Sequence, residues 1–271
     1  MVSVVTPVHN EEEDIENFIF SIMNQTYKNI EIILVDDGCT DKTISLAKRF
    51  PNVKIVKQYG HKGYGAGCNL GSKYSSGEIL LLVDADMTFE EDYVEKLIQP
   101  MIDNPTIIGT MHEWEYVANL DKPLARCWGK IRVGEKELQR VVIFRAIWKE
   151  QYEFLGGFDP KYGFADDKTF WFKYRIRPWI ARGAICYHRN PYKFKNIYNH
   201  SKWIGGSCDR WYTNNNAAIT FMYIISPLAL IYLTIKKSWD IEPKLLPYMF
   251  LFNCARYFGN LAGYRSKANA R

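Results

Sequence analysis

The sequence predicts an α/β fold in which a mainly parallel sheet carries helices on both of its faces. Apolar segments of strand length alternate with amphipathic helical segments from Val2 to Met101. These strand-like segments are apolar almost throughout, which is typical of strands buried on both faces. The chain has 271 residues, of which 47% are hydrophobic and 24% are charged. Its composition therefore suits a packed core and excludes global disorder.

Strands and helices are predicted in strict alternation through the first part of the chain. The strands are Val2–Thr6, Glu31–Val35, Val53–Lys57 and Ile79–Val83. The four intervening and following helices contain Ile15 to Met23, Thr40 to about Phe50, Gly63 onward, and Val94 to Met101. Such alternation predicts parallel strands joined by helical crossovers. Further along, we predict strands at Arg140–Arg145 and Ala184–Tyr187 and a helix at Phe170–Tyr174.

Polar residues follow three of these strands at the point where each strand ends. They are Thr6–Asn10, Asp36-Asp37 and Asp84-Ala85-Asp86. Ligands bind beyond the carboxyl ends of parallel strands, so these groups are expected at one binding edge. Residues two apart on extended backbone point the same way, which would let Asp84 and Asp86 share a cation. Oxygen ligands of this kind suit Mg²⁺ or Mn²⁺ and, through the cation, a diphosphate. Taken alone, each pair is also typical of a turn or a helix cap.

A glycine cluster, Gly63-Tyr64-Gly65-Ala66-Gly67, opens the helix after the third strand. The dinucleotide fingerprint requires such a cluster after the first strand and a third glycine where this chain has Leu70. We therefore interpret these glycines as allowing a close approach of the backbone to a ligand or to a neighbouring strand.

Four segments of the chain resemble the inverting family 2 glycosyltransferases. They are Thr6–Glu11 (TPVHNE), Ile33–Asp41 (ILVDDGCTD), Gly77–Asp86 (GEILLLVDAD), and Leu155–Asp159 (LGGFD) with Asp166-Asp167. Their order and spacing match the family from about Val2 to His188, and the chain after Tyr192 matches only loosely. The resemblance implies the Rossmann-like GT-A fold, extended here by C-terminal apolar helices, and a nucleotide-sugar donor carrying UDP or GDP.

The resemblance also implies roles for single residues. Asp37 would contact the base, and Asp84 would face the ribose or the water shell of the metal. Asp86 would coordinate Mg²⁺ or Mn²⁺, together with Asp84, and His188 would contact the metal or the diphosphate. The residues expected at the nucleotide are Pro7, His9, Glu11, Asp37, Lys62 and Asp84.

The catalytic base implied by the resemblance is Asp167. The family usually has Glu before the base, whereas this chain has Asp166, so both carboxylates stay candidates. A carboxylate within hydrogen-bond reach can accept the proton of the attacking hydroxyl. A divalent cation can neutralise the charge that develops on the leaving diphosphate. One base opposite the leaving group would give inversion in a single displacement. No Gln-x-x-Arg-Trp motif follows Asp167, which argues against a processive polysaccharide synthase.

Two other functions stay open from the sequence. A sugar-phosphate nucleotidylyltransferase would carry a basic, glycine-rich loop directly after the first strand, where this chain has the acidic Thr6–Glu11. A non-catalytic nucleotide-sugar binding module is disfavoured because Asp37, Asp84, Asp86 and Asp167 are all present. Binding without turnover on any acceptor would favour that module.

Charge is divided unevenly along the chain. Residues 1–167 carry 18 Lys and Arg against 27 Asp and Glu, and residues 168–271 carry 17 against 3. The basic second part predicts contact with an anionic surface or ligand. The six cysteines are scattered without a Cys-x-x-Cys pair, which argues against a structural zinc site and favours a reducing compartment.

The C-terminal part predicts an association with a membrane. Ala217–Ile235 is 19 residues long without a charge, and Leu245–Tyr264 is apolar apart from Arg256 and the helix-breaking Pro247. Aromatic residues alternate with basic ones between Tyr192 and Tyr212, which suits a headgroup zone. We expect interfacial or shallowly inserted helices at the cytoplasmic face, with a full span, core helices or a homo-oligomer interface as alternatives.

The predicted organisation is a catalytic domain at 1–190 and a helical tail at 191–271. Within the domain, 1–112 would bind the nucleotide sugar and 113–190 would form the acceptor side. No signal peptide is expected, because strand-like residues begin at Val2. The expected acceptor is a glycan or a polyprenyl-phosphate-linked molecule, and nucleic acid is not an expected partner.

Overall fold

The computed structural model of the protein describes residues 1–207 and 227–268. It contains two compact units, each built from several stretches of the chain. The first unit comprises Met1–Tyr116, Val133–Pro160 and Asp166–His188. The second comprises Val117–Arg132, Lys161–Ala165 and the described part of Arg189–Arg271.

The first half of the sheet is the predicted parallel one. Its strands are β1 (Val2–Val8), β2 (Ile30–Asp36), β3 (Val53–Lys57) and β4 (Ile79–Leu82), in the spatial order β3-β2-β1-β4. All three neighbouring pairs are parallel, and Val5 of β1 lies beside Ile33 of β2 and Leu82 of β4. The carboxyl ends of these strands therefore share one edge, as the sequence predicted.

The sheet continues with strands from later in the chain, which makes it mixed. They are β5 (Met87–Phe89), β6 (Gly109–Val117), β8 (Ala146–Trp148) and β9 (Trp179–His188), and a short β7 spans Ile131–Val133. Beyond β4 the order is β8-β6-β9-β5, with antiparallel pairing of β4 with β8, β8 with β6, and β9 with β5. The strand predicted at Arg140–Arg145 is wrong, because pairing begins only at Ala146. The strand predicted at Ala184–Tyr187 is longer and includes His188.

Helices cover both faces of the sheet in the first unit. Successive β1 residues divide between two apolar clusters, with Val4 packed among Phe18 and Leu97, and Val5 packed among Tyr152 and Phe158. Burial on both faces explains why the strands are apolar throughout. The helices there are α1 (Ile15–Met23), α2 (Thr43–Ala47), α3 (Tyr64–Lys73), α4 (Tyr93–Asp103), α6 (Glu135–Leu138), α7 (Lys149–Phe154) and α8 (Thr169–Tyr174).

The glycines of α3 allow the helix to lie directly on β1. A Cβ on Gly67 would come within 2.6 Å of Pro7 Cβ, and one on Gly71 would overlap Val5 Cγ1. Both glycines are buried. For Gly67 of the glycine cluster, the interpretation as a close approach to a neighbouring strand is therefore confirmed.

The second unit is mainly helical in its described residues, and it also includes Ile131 and Arg132 of β7. Its helices are α5 (Pro123–Arg126), α9 (Phe194–Ser207), α10 (Pro227–Ile241) and α11 (Leu246–Ala268). A 3₁₀ segment at Pro243–Leu245 lies in it, and so does the Lys161–Ala165 part of a second one at Pro160–Lys168. Cys127, Ile197, Met249, Phe252 and Ala255 form its core. Glycines bring α9 and α11 into close contact, because a Cβ on Gly259 would overlap the Tyr198 carbonyl oxygen.

The uncharged segment predicted at Ala217–Ile235 is only partly described. Residues 217–226 lie outside the described part of the chain, as do Arg210, Trp211 and Tyr212 of the aromatic and basic stretch, and α10 covers the remainder of the uncharged segment. None of the described helices combines the length and the hydropathy that are needed to cross a bilayer.

Gly71→Ala is expected to destabilise the protein by ~1–3 kcal/mol, because the added methyl group must displace Val5 in a filled core. The matched control is Gly206→Ala in α9, where the nearest atom to an added Cβ lies 3.7 Å away. That control should be neutral or stabilising by up to ~1 kcal/mol, because alanine favours a helix over glycine. Urea denaturation followed by circular dichroism measures both. Equal midpoints for the two variants would contradict the packing argument.

Candidate active site

The centre of the candidate site is the loop that joins β4 to β5. The buried strand β4 ends at Leu82, and Asp84 and Asp86 follow it before β5 begins at Met87. Met87 pairs with His188 in the antiparallel ladder between β5 and β9. This register brings His188 to Asp86, and His188 Nε2 lies 3.0 Å from Asp86 Oδ1. The three residues predicted to hold the metal are therefore brought together by one strand pairing.

The donor atoms of Asp84, Asp86 and His188 fit a divalent cation. One ligand atom from each lies within 4.8 Å of the other two. Carboxylate oxygens suit Mg²⁺ and Mn²⁺, and an imidazole nitrogen is tolerated better by Mn²⁺. Glu11 shows how crowded the carboxylates are, because burial and then the charge of Asp86 raise the pKa of its carboxyl well above the usual value. The site thus presents an excess of carboxylates that a cation would offset.

Arg145 is a site residue that the sequence did not indicate. Its guanidinium is buried, and its Nη1 lies 3.1 Å from Asp84 Oδ2. Leu82 N–H donates to the Arg145 carbonyl at 2.8 Å, so the pairing of β4 with the start of β8 sets this position. Burial opposes the charged guanidinium, but Asp84 and Glu115 together raise the pKa of Arg145. Arg145 therefore provides a permanent buried cation beside Asp84.

A buried polar chain leads away from His188 along β6. His188 Nδ1 lies 2.7 Å from Glu115 Oε1, and Glu115 Oε2 lies 3.0 Å from His112 Nε2. His112 Nδ1 lies 3.1 Å from the Tyr93 hydroxyl. Burial lowers the pKa of His112, which favours its neutral form. Neither His112 nor Glu115 was predicted from the sequence to belong to the site. Glu113 and Glu115 alternate with Trp114 and Tyr116 in the sequence, as in a strand with one face in solvent, so nothing in this pattern indicates that Glu115 is buried.

Asp37 has a structural task at the nucleotide side of the site. Its buried carboxylate accepts hydrogen bonds from Lys62 N–H at 2.7 Å and Gly63 N–H at 2.9 Å, and from Gln58 Nε2 at 2.5 Å. Asp37 thereby fixes the loop between β3 and α3. The contact predicted between Asp37 and a base stays a prediction. Lys62 contributes a backbone group here, and its side chain is exposed.

Two exposed histidines stand at the mouth of this region. The rings of His9, which follows β1, and His61, from the loop that Asp37 fixes, lie 4.2 Å apart between centroids. His61 Nδ1 also lies 2.8 Å from Asp37 Oδ2. Pro7 is half-buried on β1 and packs against Gly67 of α3. The sequence predicted Pro7 and His9 at the nucleotide, and His61 was not predicted.

Asp166 and Asp167 differ in what their carboxylates contact. Asp166 Oδ2 accepts the Gly65 backbone N–H at 2.7 Å, at the start of α3. Asp167 Oδ1 is buried and has no hydrogen-bond partner among the described residues. Burial and then the charge of Asp167 raise the pKa of Asp166 to about 7, and burial raises the pKa of Asp167 to about 6. The Asp166 carboxylate thus already accepts a backbone hydrogen bond, whereas Asp167 Oδ1 accepts none from the described residues.

The turn before these carboxylates is held by Asn69 of α3. Asn69 Oδ1 accepts from Phe158 N–H at 2.9 Å and from the Tyr152 hydroxyl at 2.6 Å, and its Nδ2 donates to the Phe158 carbonyl at 2.7 Å. Gly156 and Gly157 have φ of 81° and 67°, which glycine adopts without strain. The LGGFD segment is therefore a fixed turn that leads the chain toward Asp166 and Asp167.

Two solved structures have a fold similar to that of this chain. The chain superposes on S. aureus TarS 1–349 in complex with UDP with a TM-score of 0.59 and 14% identity, covering 100% of this chain and 92% of that one. It superposes on the mannosyltransferase PcManGT from Pyrobaculum calidifontis, in complex with GDP-Man and Mn²⁺, with a TM-score of 0.58 and 18% identity, covering 96% and 86%. At these identities the likeness shows the GT-A fold.

Sequence comparison gives the family. The chain is 35% identical over 105 residues to glycosyltransferase GlyA of Streptococcus pneumoniae, which covers 38% of this chain and 15% of that protein. The chain spans 15%, 45% and 40% of the lengths of three such curated relatives. The family model described as glycosyl transferase family 2 matches residues 3–149, more than half of the chain. The chain therefore belongs to glycosyl transferase family 2.

Proposed function

We propose that this protein is a metal-dependent, inverting glycosyltransferase that moves a sugar from a UDP- or GDP-sugar to an acceptor. The observation that carries the proposal is the meeting of Asp84, Asp86 and His188 within 4.8 Å, in a unit that also contains an unpartnered Asp167 oxygen. Mg²⁺ or Mn²⁺ bound there would neutralise the charge that develops on the leaving diphosphate. The Mn²⁺ complex of PcManGT supports this choice of ion.

Asp167 is the proposed base. An acceptor hydroxyl that attacks the anomeric carbon must lose its proton, and Asp167 Oδ1 is free to accept it among the described residues. Asp166 is the weaker candidate, because its Oδ2 already accepts the Gly65 N–H. Its task would be to hold the neighbouring base against the start of α3. A single displacement with Asp167 opposite the leaving diphosphate would invert the anomeric configuration.

The nucleotide would lie along the edge formed by the ends of β1 and β2. Pro7, His9, Glu11 and Lys62 are proposed to line its pocket, and Asp37 would act at the base or through the loop that it fixes. TarS was solved with UDP and PcManGT with GDP-Man, so both bases occur on this fold. Both nucleotides therefore belong in the first experiment.

Nucleotide binding is expected to require a divalent cation and Asp86. Calorimetric titration of UDP and of GDP, with Mn²⁺ and with EDTA, measures this. Asp86→Ala should weaken the preferred nucleotide at least about tenfold, equivalent to ~1.4 kcal/mol. Asp103→Ala, which removes an exposed carboxylate of α4, is the control and should bind like the wild type. Equal affinity for wild type and Asp86→Ala with Mn²⁺ present would remove the metal role.

Asp167→Asn is expected to keep donor binding and to lose transfer by ~10²–10⁴-fold, because an amide cannot accept the proton. Wild-type transfer should fall as the pH drops through about 6, where Asp167 becomes protonated, and the coupled Asp166 broadens this limb. Initial rates of sugar transfer, measured from pH 5 to 9 for the wild type and for Asp167→Asn, test both the loss of transfer and its pH dependence.

Asp166→Asn is the matched comparison for this experiment. If Asp167→Asn is fully active and Asp166→Asn is inactive, Asp166 and not Asp167 is the base. NMR of the product tests the stereochemistry separately, and a retained anomeric configuration would refute the single displacement. Donor binding with no transfer to any glycan or lipid-phosphate acceptor would favour the non-catalytic binding module.

We also propose that the second unit holds the enzyme at the cytoplasmic face of a membrane, where a polyprenyl-phosphate-linked or glycan acceptor would be met. One stripe of α10 supports this. Its large apolar side chains recur at helical spacing and are exposed, with Leu228 at 78% and Trp239 at 77%. The stripe consists of Leu228, Ile231, Tyr232, Ile235 and Trp239.

Helix α11 extends the same kind of surface. Leu246, Phe250, Leu251 and Phe258 are exposed on it, and an apolar groove is lined by residues of both α10 and α11. The exposed Lys236, with its ammonium 5.8 Å from the Tyr232 ring, and the exposed Lys244 add positive charge. An apolar face bordered by basic residues suits a helix that lies in the interface of an anionic leaflet.

The paired substitution Ile235→Ser with Trp239→Ser is expected to abolish flotation with phosphatidylglycerol vesicles at low salt. Both side chains are exposed, so folding should be unaffected. Phe154→Ser in the first unit is the control, because Phe154 is 82% exposed and lies outside the stripe. A wild-type protein that stays with the soluble fraction would overturn the membrane proposal. Sedimentation would then show whether a second copy covers the stripe.

A further inference from the structure

We propose that Glu115 is a positioning residue, which holds His188 in the orientation and tautomer that a divalent cation requires. This inference rests on the proposed cation site of Asp84, Asp86 and His188. It adds to that site a residue of β6 that touches neither substrate nor cation. Glu115 would act only through His188.

The hydrogen bonds of His188 give Glu115 this role. Its Nδ1 faces Glu115 Oε1 at 2.7 Å, and its Nε2 faces Asp86 Oδ1 at 3.0 Å. A carboxylate accepts hydrogen bonds only, so the bond to Glu115 requires the proton on Nδ1. By the same rule the contact of Nε2 with Asp86 is a hydrogen bond only when Nε2 is protonated, and a divalent cation held by Asp84 and Asp86 would take the place of that proton. Carboxylate partners of this kind orient metal-bound histidines and raise their basicity.

Glu115 is itself fixed from several sides. It is 3% exposed, and its second oxygen lies 3.0 Å from His112 Nε2 and 3.9 Å from Arg145 Nη2. His112 is held in turn by the Tyr93 hydroxyl at 3.1 Å. A carboxylate with this many partners cannot rotate away from His188 without leaving buried polar groups unpaired. The position of the His188 ring is therefore determined by buried contacts in the core.

Arg145 couples the two halves of the site. It contacts Asp84 at 3.1 Å through Nη1 and approaches Glu115 through Nη2. The same guanidinium thus lies beside one proposed ligand and beside the support of another. Burying Glu115 removes its carboxylate from water, and the positive charge of Arg145 offsets part of that desolvation penalty.

His112, Glu115 and Cys186 also lie close enough to hold a metal by themselves. Both ring nitrogens of His112 already have partners in Tyr93 and Glu115, and all three residues are buried. The group is better explained as the support for His188 than as a second cation site.

The test compares Glu115→Gln and Glu115→Leu with Glu113→Gln as the matched control. Glu113 lies on the same strand, but its carboxylate bonds to Arg182 and to Gly183 N–H. Free Mn²⁺ is measured by its electron paramagnetic resonance signal during titration. We expect Glu115→Leu to bind Mn²⁺ about 10–100-fold more weakly than wild type. The Mn²⁺ affinity of Glu115→Gln should lie between those of wild type and Glu115→Leu, because its amide oxygen still accepts the His188 N–H.

Imidazole ¹⁵N spectra of the Mg²⁺-saturated protein supply a readout that a purely structural role would not change. His188 is assigned by the signal that His188→Gln removes. Wild type should show the proton on Nδ1 alone, and Glu115→Leu should show both tautomers. Wild-type Mn²⁺ affinity and an unchanged tautomer in Glu115→Gln and Glu115→Leu would overturn the role of Glu115. If Glu115→Leu does not fold, Glu115→Gln decides the question. A wild type that binds no Mn²⁺ would overturn the cation site and this inference together.

Discussion

The ion pair between Arg145 and Asp84 is the interaction on which the candidate site depends. Carboxylates gathered at one sheet edge repel one another, and each loses hydration as it is buried. Arg145 places a permanent positive charge among them, 3.1 Å from Asp84 and 3.9 Å from Glu115. It can do so because the pairing of β4 with β8 holds its backbone beside Leu82. The antiparallel part of the sheet thus supplies the positive charge that stabilises the carboxylates at the edge of the parallel part.

The sequence predicted those features of the site that local pattern determines. Each parallel strand is a short apolar run followed by polar residues, so Asp84, Asp86 and Asp37 could be placed at strand ends. Arg145 and Glu115 could not be found in this way, because their partners lie in strands distant in sequence. The apolar residues between Arg140 and Arg145 also suggested a strand, whereas ladder pairing begins only at Ala146. Buried polar residues within a strand carry no signal that separates them from solvent-facing ones.

Helix α3 shows how packing overrides local preference near the proposed base. Glycine in a helix costs about 1 kcal/mol relative to alanine, and α3 contains Gly65, Gly67 and Gly71. Gly67 and Gly71 let the helix approach β1, and Gly65 leaves room for Asp166 against the backbone. A Cβ on Gly65 would come within 2.6 Å of Asp166 Oδ2. Because α3 is packed on β1, its hydrogen bond from Gly65 to Asp166 fixes the position of the Asp166-Asp167 pair. Asn69 of the same helix fixes the preceding turn through its hydrogen bond with Phe158.

The second unit places its small and large residues in an unusual way. A helix in water normally turns its large apolar residues toward its neighbour. Here glycines at positions 205, 259 and 263 form much of the contact between α9 and α11, and large apolar residues such as Phe250 and Phe258 are exposed. Small residues at the contact and large apolar residues outside suit helices whose surroundings are apolar. Large apolar side chains exposed side by side also mark a site of interaction rather than ordinary protein surface. Both arguments support the proposed contact of α10 and α11 with a lipid surface, and the exposed Lys236 and Lys244 would suit an anionic leaflet.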